Sequence, residues 1–419
     1  MRILNILPYS PCPPHFGGAL RIYHLLRQMV RAHTVTVIMY GTPAEGELVR
    51  EAFDGRLNGV HTVAKPARLT GMHKRLAQAR SLFGSGSATT HAFYSEAMQQ
   101  TIDAVTAGGT FDLVQLETHH IGLFRVECPG VPIILDAQNV EYDNVRRMAG
   151  ASSSPLRRAF YGKEYRKLFN EEKTVYERQD ALLLTSARDK SIMDGDFPRI
   201  PKFIIPNGVD TSFFRPSGES PARHSLVFTG AMNYFPNVDG IVYFLNEIFP
   251  LIRAQVPDVR ISVVGGSPPK QLQSLASDSV TITGYVEDVR PFVHRSSIYV
   301  VPLRMGGGTR LKVLEAMAMH KPVVTTSVGC EGIDVRDRET VLVADRPEKF
   351  ADSVVELMRN DELRSQLVAR SGDLIREKYE WSVIGKGLDG VYESIMSGHS
   401  STGAPPARAR QATLARSRG

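Results

Sequence analysis

The segment Val300-Val301-Pro302-Leu303-Arg304-Met305-Gly306-Gly307-Gly308-Thr309-Arg310-Leu311-Lys312-Val313-Leu314-Glu315-Ala316-Met317-Ala318 decides how the rest of the chain is read. A β-branched run ends in three glycines, after which apolar residues recur at helical spacing, the pattern of a buried strand, a tight loop and a helix. Such a loop lets the backbone approach a ligand, and the free N–H groups of the helix start favour an anion. Arg310 and Lys312 fall in the first helical turn, where cations oppose the helix dipole, so an anion between them would explain both. Solvated surface cations are the alternative, and it leaves the glycines without a role. Glu315, about one turn further on, is placed to accept two hydroxyl protons of a ribose, as in the dinucleotide fold, or else to sit in a buried ion pair. An anion site and a ribose acceptor on one helix describe a nucleoside diphosphate.

The same alternation of short apolar strands with helical segments extends in both directions and predicts parallel sheets. Strands are expected at 3–7, 34–40, 59–64, 113–116, 133–135, 181–184 and 203–205, then at 226–228, 260–264, 280–283, 298–301, 323–325 and 341–343. Pro206-Asn207-Gly208 breaks the pattern between the two sets, and 216–221 reads as a linker. The fold class is therefore α/β, with two doubly wound Rossmann-like domains at 1–205 and 206–375. Ligands of such sheets lie beyond the C-terminal strand ends, so the cleft between two facing domains is the expected site. A helix at 376–396 is expected to cross back to the first domain, followed by a disordered basic tail at 397–419.

With 419 residues, 42% apolar and 22% charged, the chain has enough to bury two cores, which excludes a disordered or disulfide-framework protein. No run reaches the ~18 apolar residues of a membrane span, and Pro8 interrupts any signal-peptide core, so a cytoplasmic location is expected. Cys12, Cys128 and Cys330 are far apart and at no zinc spacing, so no metal is expected. The net charge of +6 suggests nucleic acid until it is mapped, but the tail's Arg408, Arg410, Arg416 and Arg418 supply four of those charges, so no nucleic-acid partner is expected. There is no GxGxxG after the first strand, no GxxxxGK[ST], no HExxH and no GxSxG, which leaves dehydrogenase, P-loop, zincin and serine-hydrolase readings without support and a transferase standing.

The first strand leads through Pro8 to Gly17-Gly18 and into a helical pattern carrying Arg21. Paired glycines before a helix again suit an anion, although a plain strand-to-helix turn has the same appearance. Together with Ile205-Pro206-Asn207-Gly208-Val209-Asp210, the stretch from Phe228-Thr229-Gly230 through Asn233 to Pro236-Asn237, Gly284-Tyr285-Val286-Glu287-Asp288 and Lys321-Pro322-Val323-Val324-Thr325-Thr326, the motifs resemble glycosyltransferase family 4 (group 1), of the GT-B fold. The segment Asp136-Ala137-Gln138-Asn139-Val140-Glu141 brings the resemblance closest to exopolysaccharide-type sugar transferases.

The resemblance covers the chain to about residue 396. It implies a retaining hexosyltransferase that moves a sugar from a nucleotide-diphosphate-sugar donor to an acceptor hydroxyl in polysaccharide or glycolipid assembly, with no metal or other cofactor. The donor site would comprise Gly17, Gly18, Arg21, Asn207, Gly230, Asn233, Val286, Gly308, Thr309, Arg310, Leu311, Lys312 and Glu315. Two departures stand out. Many members carry a glutamate where this chain has Gly307, and an Arg and a Lys where it has Ala231, Met232 and Asn233. Loss of the glutamate keeps open an alternative, a catalytically inactive partner that binds a nucleotide sugar or glycan in an assembly complex.

Catalytic candidates lie at the end of the 113–116 strand. Glu117, facing the cleft, is the carboxylate placed to orient a hydroxyl, with His119 and His120 as the fallback or as ordinary capping residues. Lys65, Arg68, Lys74, Arg75 and Arg80 alternate with Leu69, Met72, Leu76, Leu82 and Phe83, and Arg157, Arg158, Lys163, Arg166 and Lys167 lie on a helix with Leu156, Phe160 and Leu168. Both segments suit the anionic membrane surface where a lipid-linked acceptor resides, giving a peripheral location at the inner face of the cytoplasmic membrane; a solvated amphipathic face is the alternative.

Overall fold

The computed structural model describes residues 1–66, 93–151 and 155–402. The expected basic segment at 65–95 therefore lies largely outside the described residues, as do Arg68, Lys74, Arg75 and Arg80, and so does the tail from 403. The chain divides into two compact units, Met1–Pro206 together with the chain from Gly385, and Asn207–Ile384.

The first unit is built on a seven-stranded sheet of β1 (Arg2–Leu7), β2 (Thr34–Tyr40), β3 (Gly59–Val63), β4 (Leu113–Glu117), β5 (Ile133–Asp136), β6 (Ala181–Leu184) and β7 (Lys202–Ile204), in the order β3-β2-β1-β4-β5-β6-β7. The second holds β8 (Ser225–Thr229), β9 (Arg260–Val264), β10 (Val280–Ile282), β11 (Ile298–Val301), β12 (Val323–Thr325) and β13 (Leu342–Val343), in the order β10-β9-β8-β11-β12-β13. Every pairing within both sheets is parallel. A parallel sheet covered by helices on both faces selects strands that are apolar throughout, which is why Ala181–Leu184 and Ile298–Val301 are buried at every position. Phe124 and Tyr142 lie in the core of the first unit, Phe228, Phe244 and Phe350 in that of the second. Strand order reverses between β1 and β4 and between β8 and β11, and these two places are where an open α/β sheet offers a ligand crevice.

The C-terminal region differs from the expected 376–396 helix. A π-helical turn, Ile375–Tyr379, is followed by an extended Glu380 that bridges to Val209 and accepts a hydrogen bond from Thr211 Oγ1 at 2.7 Å. The last helix, Trp381–Thr402, starts after this break and continues six residues past 396, into the stretch expected to be tail. From Gly385 onward it belongs to the first unit. A Cβ on Gly385 would lie 2.6 Å from Gln28 Cγ, so the glycine permits close helix contact. Asp389 meets His33 at 3.0 Å, and the fully buried Tyr392 donates its hydroxyl to Gln115 Oε1 on β4.

Tyr392→Phe leaves that buried carboxamide oxygen without its donor, and we expect a loss of ~1–3 kcal/mol in urea unfolding. An unchanged midpoint would show that the bond contributes nothing to holding the last helix.

Candidate functional site

In the second unit, β8 and β9 end in glycines that leave their C-terminal edge free of side chains. A Cβ on Gly265 would lie 1.8 Å from the carbonyl oxygen of Gly230, and one on Gly230 would lie 2.7 Å from both Lys312 Nζ and Asn237 Nδ2. Across the switch point, the strand β11 runs into the glycine loop, where Gly306 and Gly308 have φ of 126° and 74°, values that L side chains avoid. A cavity of about 210 Å³ opens here, bordered by Tyr234, Asn237, Gly307, Thr309, Arg310 and Lys312. A larger groove of about 440 Å³, lined by Phe249, Pro257 and Leu275, lies at the start of β10, away from the glycine edge.

The helix following the loop is Leu311–Ala318, with Arg310 as its N-cap rather than in its first turn. Arg310 is 7% exposed, and its guanidinium turns back to donate to the carbonyls of Gly307 and Gly308. This arginine therefore braces the loop. Lys312 reaches across to β8, donating to Thr229 O at 2.6 Å and to Asn237 Oδ1 at 2.9 Å, with its ammonium 4.2 Å from the Phe228 ring centre. Desolvation pushes its pKa down to about 7 against the pull of Glu315. Desolvation likewise pushes Glu315, one helical turn on, up to about 7, opposed by Lys312. Beneath them the buried Tyr299 hydroxyl is hydrogen-bonded to Thr229 Oγ1.

In the first unit, the residues at the switch point form an interior polar network. Arg21, 1% exposed, donates through Nε to Asp136 Oδ2 at 2.8 Å and through Nη1 to Pro206 O at 3.1 Å. Glu117 is the last residue of β4 and fully buried; Gln115 Nε2 donates to Oε1 at 2.7 Å and Gln138 Nε2 to Oε2 at 3.0 Å. Burial, then the Asp136 carboxylate, pushes its pKa up to about 7. Gln138 adopts φ of 51°, and its carboxamide oxygen lies 3.5 Å from the Tyr9 hydroxyl, which a Cβ on Gly18 would approach to 2.2 Å. His119 and His120 occupy the short helix Thr118–Ile121 with ring centres 3.8 Å apart. His119 Nδ1 is 3.6 Å from the buried Glu172 carboxylate. Burial lowers His119 well below the usual range and takes His120 down to about 4, so both are neutral at pH 7.

Among the residues expected to bind a donor, Thr309, Arg310, Leu311 and Lys312 meet around one cavity. Gly230 adjoins it through Lys312, and Glu315 does so along the helix. Gly17 and Gly18 open the helix Gly17–Ala32 in the first unit. Asn207, Asn233, Val286 and Gly308 do not line the cavity; Asn233 is exposed in a turn and Val286 packs against the core. Arg21 is engaged inside the first unit by Asp136, and Glu117 is an interior residue whose two oxygens accept hydrogen bonds from Gln115 and Gln138. Asn237 and Gln138 were missed. Each lies in a motif quoted above, but an amide's partners cannot be read from spacing.

Residues 223–360 match the family model described as glycosyl transferases group 1. Over 207 residues, 47% of this chain and 54% of the relative, the sequence is 28% identical to a phosphatidyl-myo-inositol mannosyltransferase of Mycobacterium leprae. Over 191 residues, 42% of this chain and 53% of the relative, it is 26% identical to the lipopolysaccharide core biosynthesis mannosyltransferase LpcC of Rhizobium leguminosarum. The chain spans about half the length of these curated relatives. In three dimensions it is similar to a sucrose-phosphate synthase of Thermosynechococcus elongatus, with TM-score 0.67 and 15% identity over 95% of this chain and 100% of that one. It is also similar to the Anabaena protein HepE in complex with UDP, with TM-score 0.65 and 11% identity over 94% of this chain and 100% of that one.

Because both Glu117 oxygens already accept hydrogen bonds, Glu117→Gln must turn an NH₂ group toward one of two N–H donors. Thermal unfolding should show a loss of ~1–3 kcal/mol. A variant with wild-type stability and reduced turnover would instead return Glu117 to an open catalytic position.

Proposed function

We propose that the protein is a retaining glycosyltransferase using a nucleotide-diphosphate-sugar donor, a reading supported by the match of residues 223–360 to the group 1 glycosyl transferases and by the likeness of its fold to a sucrose-phosphate synthase. The observation that carries this reading is the cavity at the switch point of the second sheet, with Lys312 and Glu315 on one helix beside a glycine loop. The Lys312 ammonium and the free N–H groups of the helix start would hold the diphosphate, while Glu315 accepts ribose hydroxyls. In the reaction the bond between the anomeric carbon and the diphosphate oxygen breaks, with the electron pair leaving on the diphosphate. The acceptor oxygen bonds to the same face of that carbon, and its proton passes to a departing phosphate oxygen. The cationic loop stabilises the charge that develops there, and this reading assigns no role to a metal ion.

The acceptor is proposed to be a glycan or a lipid-linked sugar in polysaccharide or glycolipid assembly, as the names of the mannosyltransferase relatives suggest. Among the described residues no helix is long and apolar enough to cross a membrane. The helix Pro155–Tyr176 exposes Arg158, Lys163 and Arg166 beside Phe160, which is 39% exposed, and this face suits peripheral contact with anionic lipid.

A screen of UDP, GDP and ADP by thermal shift tests the donor proposal, since a ligand at 100 times its Kd stabilises by ~2.7 kcal/mol. For the nucleotide that binds, Glu315→Gln should weaken affinity by ~1–3 kcal/mol. Burial pushes the Lys312 pKa down to about 7 in the free protein, and a bound diphosphate favours its charged form. Binding at pH 8 should therefore take up about one proton, read by calorimetry in buffers of different ionisation enthalpy, and affinity should fall as pH rises further. Lys312→Met should take up none; no binding of any of the three nucleotides would refute the reading.

For the membrane face, the triple substitution of Arg158, Lys163 and Arg166 by Glu should abolish salt-sensitive binding to vesicles containing phosphatidylglycerol, each cation contributing ~1 kcal/mol. Unaltered vesicle binding would rule this surface out.

A further inference from the structure

We propose that Asn237 is a positioning residue that fixes the Lys312 ammonium toward a diphosphate without neutralising it, an inference that rests on the donor reading above. Asn237 is 7% exposed on the helix Phe235–Tyr243, which begins just past the end of β8. Its carboxamide is held at both ends. Nδ2 donates to Ala231 O at 2.9 Å, which leaves Oδ1 to accept from Lys312 Nζ at 2.9 Å. The second proton of the ammonium goes to Thr229 O at 2.6 Å. Two of the three N–H directions are thus held by neutral oxygens. Both residues border the cavity, and Gly230 keeps the space between strand and helix open for them.

The chemistry of the partner decides the outcome. A carboxylate at the same place would hold the ammonium just as firmly, but it would cancel its charge and repel an incoming diphosphate. A carboxamide supplies the geometry and leaves the positive charge for the ligand. The charged groups that act on Lys312 are Glu315, one turn along its own helix, and Arg310 at the helix start. Glu315 is itself held toward neutrality by burial, so it opposes the diphosphate weakly near pH 7. The family resemblance implies an Arg and a Lys after Gly230, where this chain has Ala231, Met232 and Asn233. Here the backbone carbonyl of Ala231 instead orients the amide that aims Lys312.

The isosteric variant Asn237→Asp tests this directly. Its affinity for whichever of UDP, GDP and ADP the wild type binds should fall ~30-fold or more, with Asn237→Ala losing ~10-fold, while affinity for the corresponding nucleoside changes less than ~3-fold. In the free protein, NMR titration of the methylated Lys312 amine should show its pKa rising in Asn237→Asp, because a carboxylate now favours the charged form. An unshifted Lys312 titration, or equal losses for nucleoside and nucleoside diphosphate, would overturn the inference. If the wild type binds no nucleotide, the donor reading fails, while the Lys312 titration still decides whether Asn237 tunes the lysine.

Discussion

The second unit is organised around one ammonium group. Lys312 leaves its own helix to donate to the last carbonyl of β8, and so ties the glycine-loop helix to the strand across the point where strand order reverses. Burying an ammonium is costly, by several kcal/mol unless its hydrogen bonds are replaced, and here two oxygens and the face of Phe228 replace water. The arrangement constrains its neighbours. Gly230 can carry no side chain without meeting Nζ, and Gly265 can carry none without striking the Gly230 carbonyl. The missing side chain at Gly230 thus follows from where the lysine goes, and the one at Gly265 from the backbone of Gly230.

The first unit treats its buried charges in the opposite way. Arg21 is matched by Asp136, and Glu117 is surrounded by carboxamide donors and raised toward neutrality. Two of its members come from distant parts of the sequence, since Pro206 closes on Arg21 and Tyr392 closes on Gln115. This network spends its polar groups on each other and fixes the C-terminal edge of the sheet. Lys312 is instead held by neutral oxygens, with Glu315 one turn along its helix, so no carboxylate hydrogen-bonds its ammonium. Of the two edges, the first pairs its arginine with a carboxylate and the second holds its lysine with neutral oxygens.

How much of this was legible in the sequence follows from which property each feature depends on. The strands of the described residues were readable because a parallel sheet buried on both faces imposes continuous β-branched runs such as Ile298–Val301, a one-dimensional signal. The loop–helix unit was readable for the same reason, with glycines where the backbone turns through positive φ. Side-chain direction was not. Arg310 and Lys312 are two residues apart, yet one turns back on its loop and the other crosses to β8, because the first is the N-cap and the second is in the helix. Glu117 was placed at a strand end facing the cleft because sites of such sheets lie there; its hydrogen-bond partner Gln138 lies 21 positions away. The break at Glu380 depends on its pairing with Val209, which no local pattern announces.

The two departures from the family pattern are better considered together than apart. An Arg and a Lys after Gly230, which the family resemblance implies, would add positive charge beside the cavity; this chain has Ala231, Met232 and Asn233 there. Losing a glutamate at Gly307 removes negative charge from the loop that borders the same cavity, which acts in the opposite direction. A site with fewer cations needs fewer acids nearby to remain balanced when empty, and Asn237 and Ala231 supply uncharged contacts in the region the cations would have occupied. The carbonyl of Gly307 also accepts a hydrogen bond from Arg310, so the position serves the loop through its backbone. The glutamate and the two cations are thus absent together, and their charges are of opposite sign.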